Sequence, residues 1–243
     1  MKNLEFLSDI ALMLVSSGDP DSQIKTVLEK TGRYINVSRV YVFEDSADGS
    51  TTSNTYEWCA EGISSQIGSL QNIPYSEIRF WMDTLRSDGM ILSENIDLLP
   101  PEISEVLKPQ GILSVLVYPL YREQNISGFI GFDQCAVQRI WGRTDIALLK
   151  TVAGMISSAL ERNRDHETIK ASERNFKTFF NTVDDLMMIG NMQGNLIYAN
   201  SACEKRLGYS HDELMGMHIL QLHPEDIRKE AIQIRLEFQN LPS

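Results

Sequence analysis

Ile112-Leu113-Ser114-Val115-Leu116-Val117-Tyr118-Pro119-Leu120-Tyr121 is followed, after the polar stretch Arg122 to Asn125, by Ile126-Ser127-Gly128-Phe129-Ile130-Gly131-Phe132-Asp133. Both runs are rich in β-branched and aromatic residues, which favour an extended chain, so they read as two strands joined by a loop. Working outward, Arg39-Val40-Tyr41-Val42-Phe43-Glu44 has the same character. Asp45 to Ser50 holds the Asp, Ser and Gly of a turn, and Thr51 to Glu61 reads as a second strand, which makes a hairpin. Ile91-Leu92-Ser93 is a further short strand candidate.

The segments around these strands change period. Leu4, Leu7, Ile10, Ala11, Leu14 and Val15 recur at helical spacing, and Gly18 closes that helix. Asp19-Pro20 opens another, with Asp19 suited to capping and Pro20 to the first turn. Ile24, Val27, Leu28 and Thr31 form its apolar face, with Gly32 near its end. Ser76 to Arg86 predicts a helix with Ile78, Trp81, Met82 and Leu85 on one side, and Pro101 to Leu107 a short one. Helices flanking a mainly antiparallel sheet give an α+β order.

A long helix begins at Thr144, with Ile146, Leu149, Val152, Ala153, Ile156 and Leu160 as a broad apolar stripe. Beyond Glu161 the chain turns charged without a helix breaker, so the helix is expected to run on as a solvated connector. Leu148, Met155, Arg162, Ile169 and Phe176 repeat every seven residues, a heptad interrupted by Arg162. Leu148, Met155 and Ile169 are therefore the candidates for pairing two connectors in a homodimer; the alternative is a helix packed on its own domain. A new unit follows. Leu186 to Met192 and Asn195 to Tyr198 flank Gln193-Gly194, a hairpin signal. Asn200 is placed to cap a helix over Ser201 to Leu207 that Gly208 ends, and Ser210-His211-Asp212-Glu213 is a capping box. His223-Pro224-Glu225-Asp226 opens a further helix expected to reach about Phe238.

The 243 residues have room for one large or two modest domains. A net charge of -11 repels nucleic acid and anionic membranes at long range, which argues against both as partners. The longest apolar run, Ile112 to Leu120, is too short to cross a bilayer, so no membrane insertion is expected. Glu5 and Asp9 interrupt the apolar start, so no export signal is read there. Cys59, Cys135 and Cys203 are widely spaced, as reduced thiols of a cytoplasmic protein are.

Residues from about 4 to 162 resemble a GAF domain. The likeness rests on the order of helices and hairpin, on Val115 to Leu120 with Gly128-Phe129-Ile130-Gly131-Phe132, and on Trp141, Asp145 to Leu149 and Ala159 to Arg162. Residues 172 to 243 resemble the first two thirds of a PAS domain. The motifs are Ser172 to Phe176, Gly194 to Asn200, Leu207-Gly208-Tyr209-Ser210, Glu213 to Gly216 and His223 to Asp226. The implied layout is a GAF sensory domain over 1–162, a connector over 144–175 that overlaps its last helix, and an incomplete PAS-type α+β unit over 172–243. A PAS sheet has five strands and only two are expected before Ser243. The chain is therefore expected to be cut from a longer protein, with its tail the least stable part.

The resemblance implies the sensory input region of a signalling protein, foremost a histidine kinase. A diguanylate cyclase or a transcription-factor input module is the alternative, and a stand-alone GAF enzyme reducing methionine sulfoxide through Cys59 and Cys135 a further one. No catalytic residue, phosphate-cradling glycine loop, clustered metal ligands or cofactor motif is found, so the chain as given reads as a binding module rather than an enzyme. Cys59 and Cys135 lack the neighbouring histidine of bilin-attaching GAF domains, and Cys203 lacks the flavin-adduct context. A GAF pocket lies between the sheet and its cover, here Ile73 to Leu107. Trp58, Phe80, Trp81, Ser93 and Asn95 are the candidates for lining a small-molecule site there. The competing role is core packing for the two tryptophans and strand capping for Ser93 and Asn95.

Overall fold

The computed structural model of the protein describes residues 2–228. Its contacts divide the chain into two units, Met1–Asp165 and His166–Ser243. The first opens with helices α1 (Lys2–Val15) and α2 (Pro20–Ile35). The Asp19 carboxylate accepts the Ser22 amide at 2.9 Å and so starts α2. That helix runs past Gly32 and ends where Asn36 turns left-handed, φ 54°.

Strands β1 (Arg39–Asp45), β2 (Thr51–Cys59), β3 (Ile73–Pro74), β4 (Ile91–Ser93), β5 (Ser114–Arg122) and β6 (Asn125–Gln134) form one antiparallel sheet. Their order is β3-β2-β1-β6-β5-β4, which puts β1 and β6 at its centre. Helices α3 (Arg79–Asp88) and α4 (Pro101–Leu107) lie between β3 and β5 in the chain. The expected start of α3 at Ser76 is corrected to Arg79, because residues 75–77 form a turn closed by the Glu77 amide on the Pro74 carbonyl.

Each face of the sheet has its own core. Val40, Val42, Leu116, Ile130 and Phe132 meet α1, α2 and the first half of α5 (Arg143–Thr182), through Ile10, Leu14, Ile24, Leu28, Leu149, Val152 and Ile156. Tyr41, Phe43, Val115, Val117 and Phe129 meet α3 and α4 through Trp81, Met82, Leu85, Ile103 and Leu107. Buried on both sides, the central strands read as continuous apolar runs rather than as alternating ones.

In the second unit, β7 (Met188–Gly190) and β8 (Leu196–Ala199) pair antiparallel, followed by α6 (Ser201–Leu207) and α7 (His211–Leu214). Their core is small: Leu196, Ala199, Cys203 and Leu214. The buried Asn200 caps α6 as its position predicts, and its amide also donates to the carbonyls of Phe180, Val183 and Asp185 at 2.9–3.1 Å. The capping box of Ser210 with Glu213 is formed. The helix expected to run to Phe238 falls, beyond residue 228, outside the described residues. Among the described residues no helix is long and apolar enough to cross a membrane.

Candidate functional site

Strand alternation decides what faces the α3–α4 side of the sheet. Arg39, Tyr41 and Phe43 leave β1 on that side, while Val40 and Val42 leave on the other. The register then adds neighbours across the sheet: Arg39 stands opposite Cys59 of β2 and Asp133 of β6, and Tyr41 opposite Glu57 and Gly131. Gly131 is required there, since a Cβ at this position would lie 2.0 Å from the Tyr41 ring.

A narrow cavity of about 50 Å³ lies between this face and its cover. Its walls are apolar: Phe43 stacks on Phe129 at 4.6 Å between ring centres, Trp81 tilts over Phe129 at 5.6 Å, and Leu70, Ile73, Ile78 and Leu107 complete the enclosure. Its polar end holds Arg39, Asn54, Glu57 and Gln110. The Arg39 guanidinium donates to Gln110 Oε1 at 3.1 Å and stands 3.9 Å from Glu57 Oε1 and 3.7 Å from Asp133 Oδ2. Glu57 in turn accepts the Ser65 hydroxyl and the Gln66 amide, at 2.9 Å for the latter, and so fastens the loop after β2 across the cavity. Asn54 Nδ2 donates to Glu57 Oε1 at 3.2 Å.

This cluster perturbs its own ionisation. Burial pushes the Asp133 carboxyl up to about 7, with Glu57 adding to the shift and Arg39 and the Tyr41 hydroxyl opposing it. Burial would by itself lower Arg39, but the charge of Asp133, helped by Cys135, Tyr41 and Glu57, raises it above its ordinary value. Burial also pushes the Cys59 thiol up to about 11 and raises Cys135, each helped by the nearest carboxylate. Thiols held this way are poor nucleophiles. Strand β1 lies between β2 and β6, so two strand spacings, roughly 9 to 10 Å, separate the Cys59 and Cys135 backbones. A disulfide tolerates about 7 Å at most.

Of the sequence candidates, Trp81 lines this cavity. Trp58 belongs to the opposite face: it packs beside α2, with the Arg33 guanidinium 5.9 Å from its ring centre. Phe80 sits one residue off the buried Trp81, Met82 and Leu85 stripe of α3 and is 42% exposed. Ser93 donates to the Asn95 carbonyl at 2.6 Å, and the Asn95 side chain caps the short turn Ile96–Leu98. These four stand away from the cavity. The sequence reading missed Arg39, Asn54, Glu57 and Asp133, whose signal was a charged or amide group inside a strand. On the connector, Leu148 is buried on the stripe shared with Leu149, Val152 and Ile156, within the core of its own domain. Met155 is half-buried against the same core, while Ile169 is 58% exposed. Among the described residues no cluster of acidic, histidine or cysteine side chains is arranged to hold a metal.

The model of the GAF domain matches residues 19–160, more than half of the chain. The chain belongs to the GAF family. The model of the PAS domain matches residues 174–239, so a PAS segment follows the GAF domain. The GAF domain's fold recurs in the phycocyanobilin-bound GAF domain of a cyanobacterial phytochrome, 13% identical with a TM-score of 0.58 over 67% of this chain and 95% of that one. It recurs in the PixJ GAF domain of Thermosynechococcus elongatus, 20% identical with a TM-score of 0.52 over 71% of this chain and 96% of that one. A curated relative, the methanogenesis regulatory histidine kinase FilI of Methanothrix harundinacea, is 34% identical over 155 residues. That match takes in 62% of this chain and 18% of FilI, so this chain spans less than a fifth of that relative's length. GAF and PAS are domains of the sensory type, and the catalytic part of the kinase relative lies outside the match.

Proposed function

We propose that this chain is the input region of a sensory histidine kinase, in which a small molecule enters the GAF cavity and the response leaves along α5 into the PAS segment. The observation that carries this reading is the cavity itself: apolar aromatic walls, one polar end, and a cover made of a loop, α3 and α4 rather than of sheet. Small-molecule sites usually hold about 300–1,000 Å³. At about 50 Å³ this one admits a ligand only if the cover parts from the sheet. Binding is then tied to a change of packing, which lets a ligand shift a conformational population.

Strand β1 is the part that feels both sides. Its odd-numbered side chains line the cavity and its even-numbered ones press on the helices that include α5. At its end Glu44 pairs with Arg164 of α5. Displacing the Tyr41 and Phe43 rings would move that pair, just before the helix leaves the GAF domain. The FilI relation favours a kinase over a cyclase or transcription-factor output, and the raised, separated thiols weigh against a cysteine-dependent reductase.

Naphthalene, an apolar probe of the cavity walls, tests the relay. Its binding should change amide hydrogen exchange across 161–175, and Glu44→Gln should leave binding within about two-fold while cancelling most of that change. Binding without any response in 161–175 would refute the relay.

A further inference from the structure

Three buried polar atoms on residues lining the cavity have no hydrogen-bond partner: Arg39 Nε, Asn54 Oδ1 and the Trp81 indole nitrogen. Each of these residues is at least nine-tenths buried. Buried polar groups are rarely left unpaired, since each costs on the order of 1–3 kcal/mol. Two of the three belong to residues that share one partner. Asn54 Nδ2 and Arg39 Nε both approach Glu57 Oε1, at 3.2 and 3.9 Å. The residues carrying an unused donor and an unused acceptor therefore meet at one Glu57 oxygen at the polar end, with the indole N–H as a further donor on the wall.

Charge narrows the class. The Arg39 cation is already faced by Glu57 and Asp133, and Glu102 adds an acid to the lining. A ligand carboxylate would enter a poorly screened space against those acids, and a ligand cation would meet the guanidinium, so either charge is costly. We propose that the cavity takes an uncharged, flat, apolar-bodied molecule bearing an adjacent N–H and C=O, as a lactam or secondary amide does. Its carbonyl accepts from Arg39 Nε and its N–H donates to Asn54 Oδ1, while the ring lies among Phe43, Trp81 and Phe129. This rests on the cavity being the binding site, and goes beyond that reading by fixing the ligand's charge and its polar edge.

Four probes of one shape decide it by calorimetry on the full chain: 2-quinolinone, 1-methyl-2-quinolinone, naphthalene and 2-naphthoate. The lactam should bind tightest. Methylating its nitrogen removes the donated hydrogen bond and should weaken it about five-fold. Asn54→Leu should weaken the lactam by a similar factor and naphthalene little, and should make the methylation nearly silent. Because Asn54 also supports Glu57, the methylated probe carries the test on the unaltered chain should that variant fold poorly. Naphthalene or naphthoate binding as tightly as the lactam, or a methylated probe that loses nothing, overturns this inference and leaves the cavity reading standing. Binding by none of the four overturns the cavity reading, and this inference with it.

Discussion

Asp133 is the residue at which fold and site compete. It is fully buried at the centre of the sheet, opposite Arg39, yet the guanidinium stays 3.7 Å away and neither carboxylate oxygen accepts a hydrogen bond at close range. A charge so poorly compensated favours its protonated form, which is why burial raises the carboxyl from 3.8 to about 7. The fold binds this proton more tightly than the unfolded chain does between those two values. The contribution of Asp133 to stability is therefore greatest below about pH 4, falls as pH rises, and is fully lost above about pH 7. Asp133→Asn, which resembles the protonated acid, should remove that slope. Melting temperatures taken from pH 4 to pH 8 should show the wild type losing about 3 °C or more relative to the variant. Parallel curves for the two proteins would mean that Asp133 keeps its charge in the fold.

Contacts between elements explain features that single residues do not. Gly32 lies inside α2, where a glycine ordinarily costs helix stability and Gly→Ala gains about 0.5–1 kcal/mol. Here the helix presses on β2, and a Cβ on Gly32 would stand 2.1 Å from Trp58 Cζ3. The indole would have to leave its place beside Arg33, at a cost of roughly 1–3 kcal/mol. Gly32→Ala is therefore expected to destabilise the GAF domain by about 1 kcal/mol in urea unfolding, and a gain in stability would show that Trp58 moves freely. The same contact shows what was legible in the sequence. Asp19, Pro20, Ser210 and the strand runs announced their elements because capping and periodicity are local. Strand alternation also tells that Trp58 and Glu57 leave β2 on opposite sides. What was not legible is which face of β2 would be the ligand face, because only pairing with β1 brings Glu57 beside Arg39. Gly32 gave no local sign of Trp58 either, since its partner lies on another element.

Among the described residues, buried apolar packing is unevenly distributed between the two units. The GAF sheet has six strands with a hydrophobic core on each face, and its central strands are buried over most of their length. The described part of the second unit has a two-stranded sheet resting on a cluster of four buried side chains. Two strands alone are marginal in water, so what holds β7 to β8 is that small cluster together with the Asn200 amide. The Phe180 and Tyr198 rings add an edge contact at 4.7 Å. Opening free energies vary within a protein as the buried apolar contact varies. Amides of Met188–Gly190 and Leu196–Ala199 should therefore exchange through openings at least about 2 kcal/mol cheaper than those of β5 and β6. Hydrogen exchange resolved by residue measures both in one sample, so no comparison between preparations is needed. Protection of β7 and β8 equal to that of the central GAF strands would mean that the second unit is as stable as the first. The proposed input role would place binding in the firm unit and the response in the soft one, along the helix that is continuous from Arg143 to Thr182.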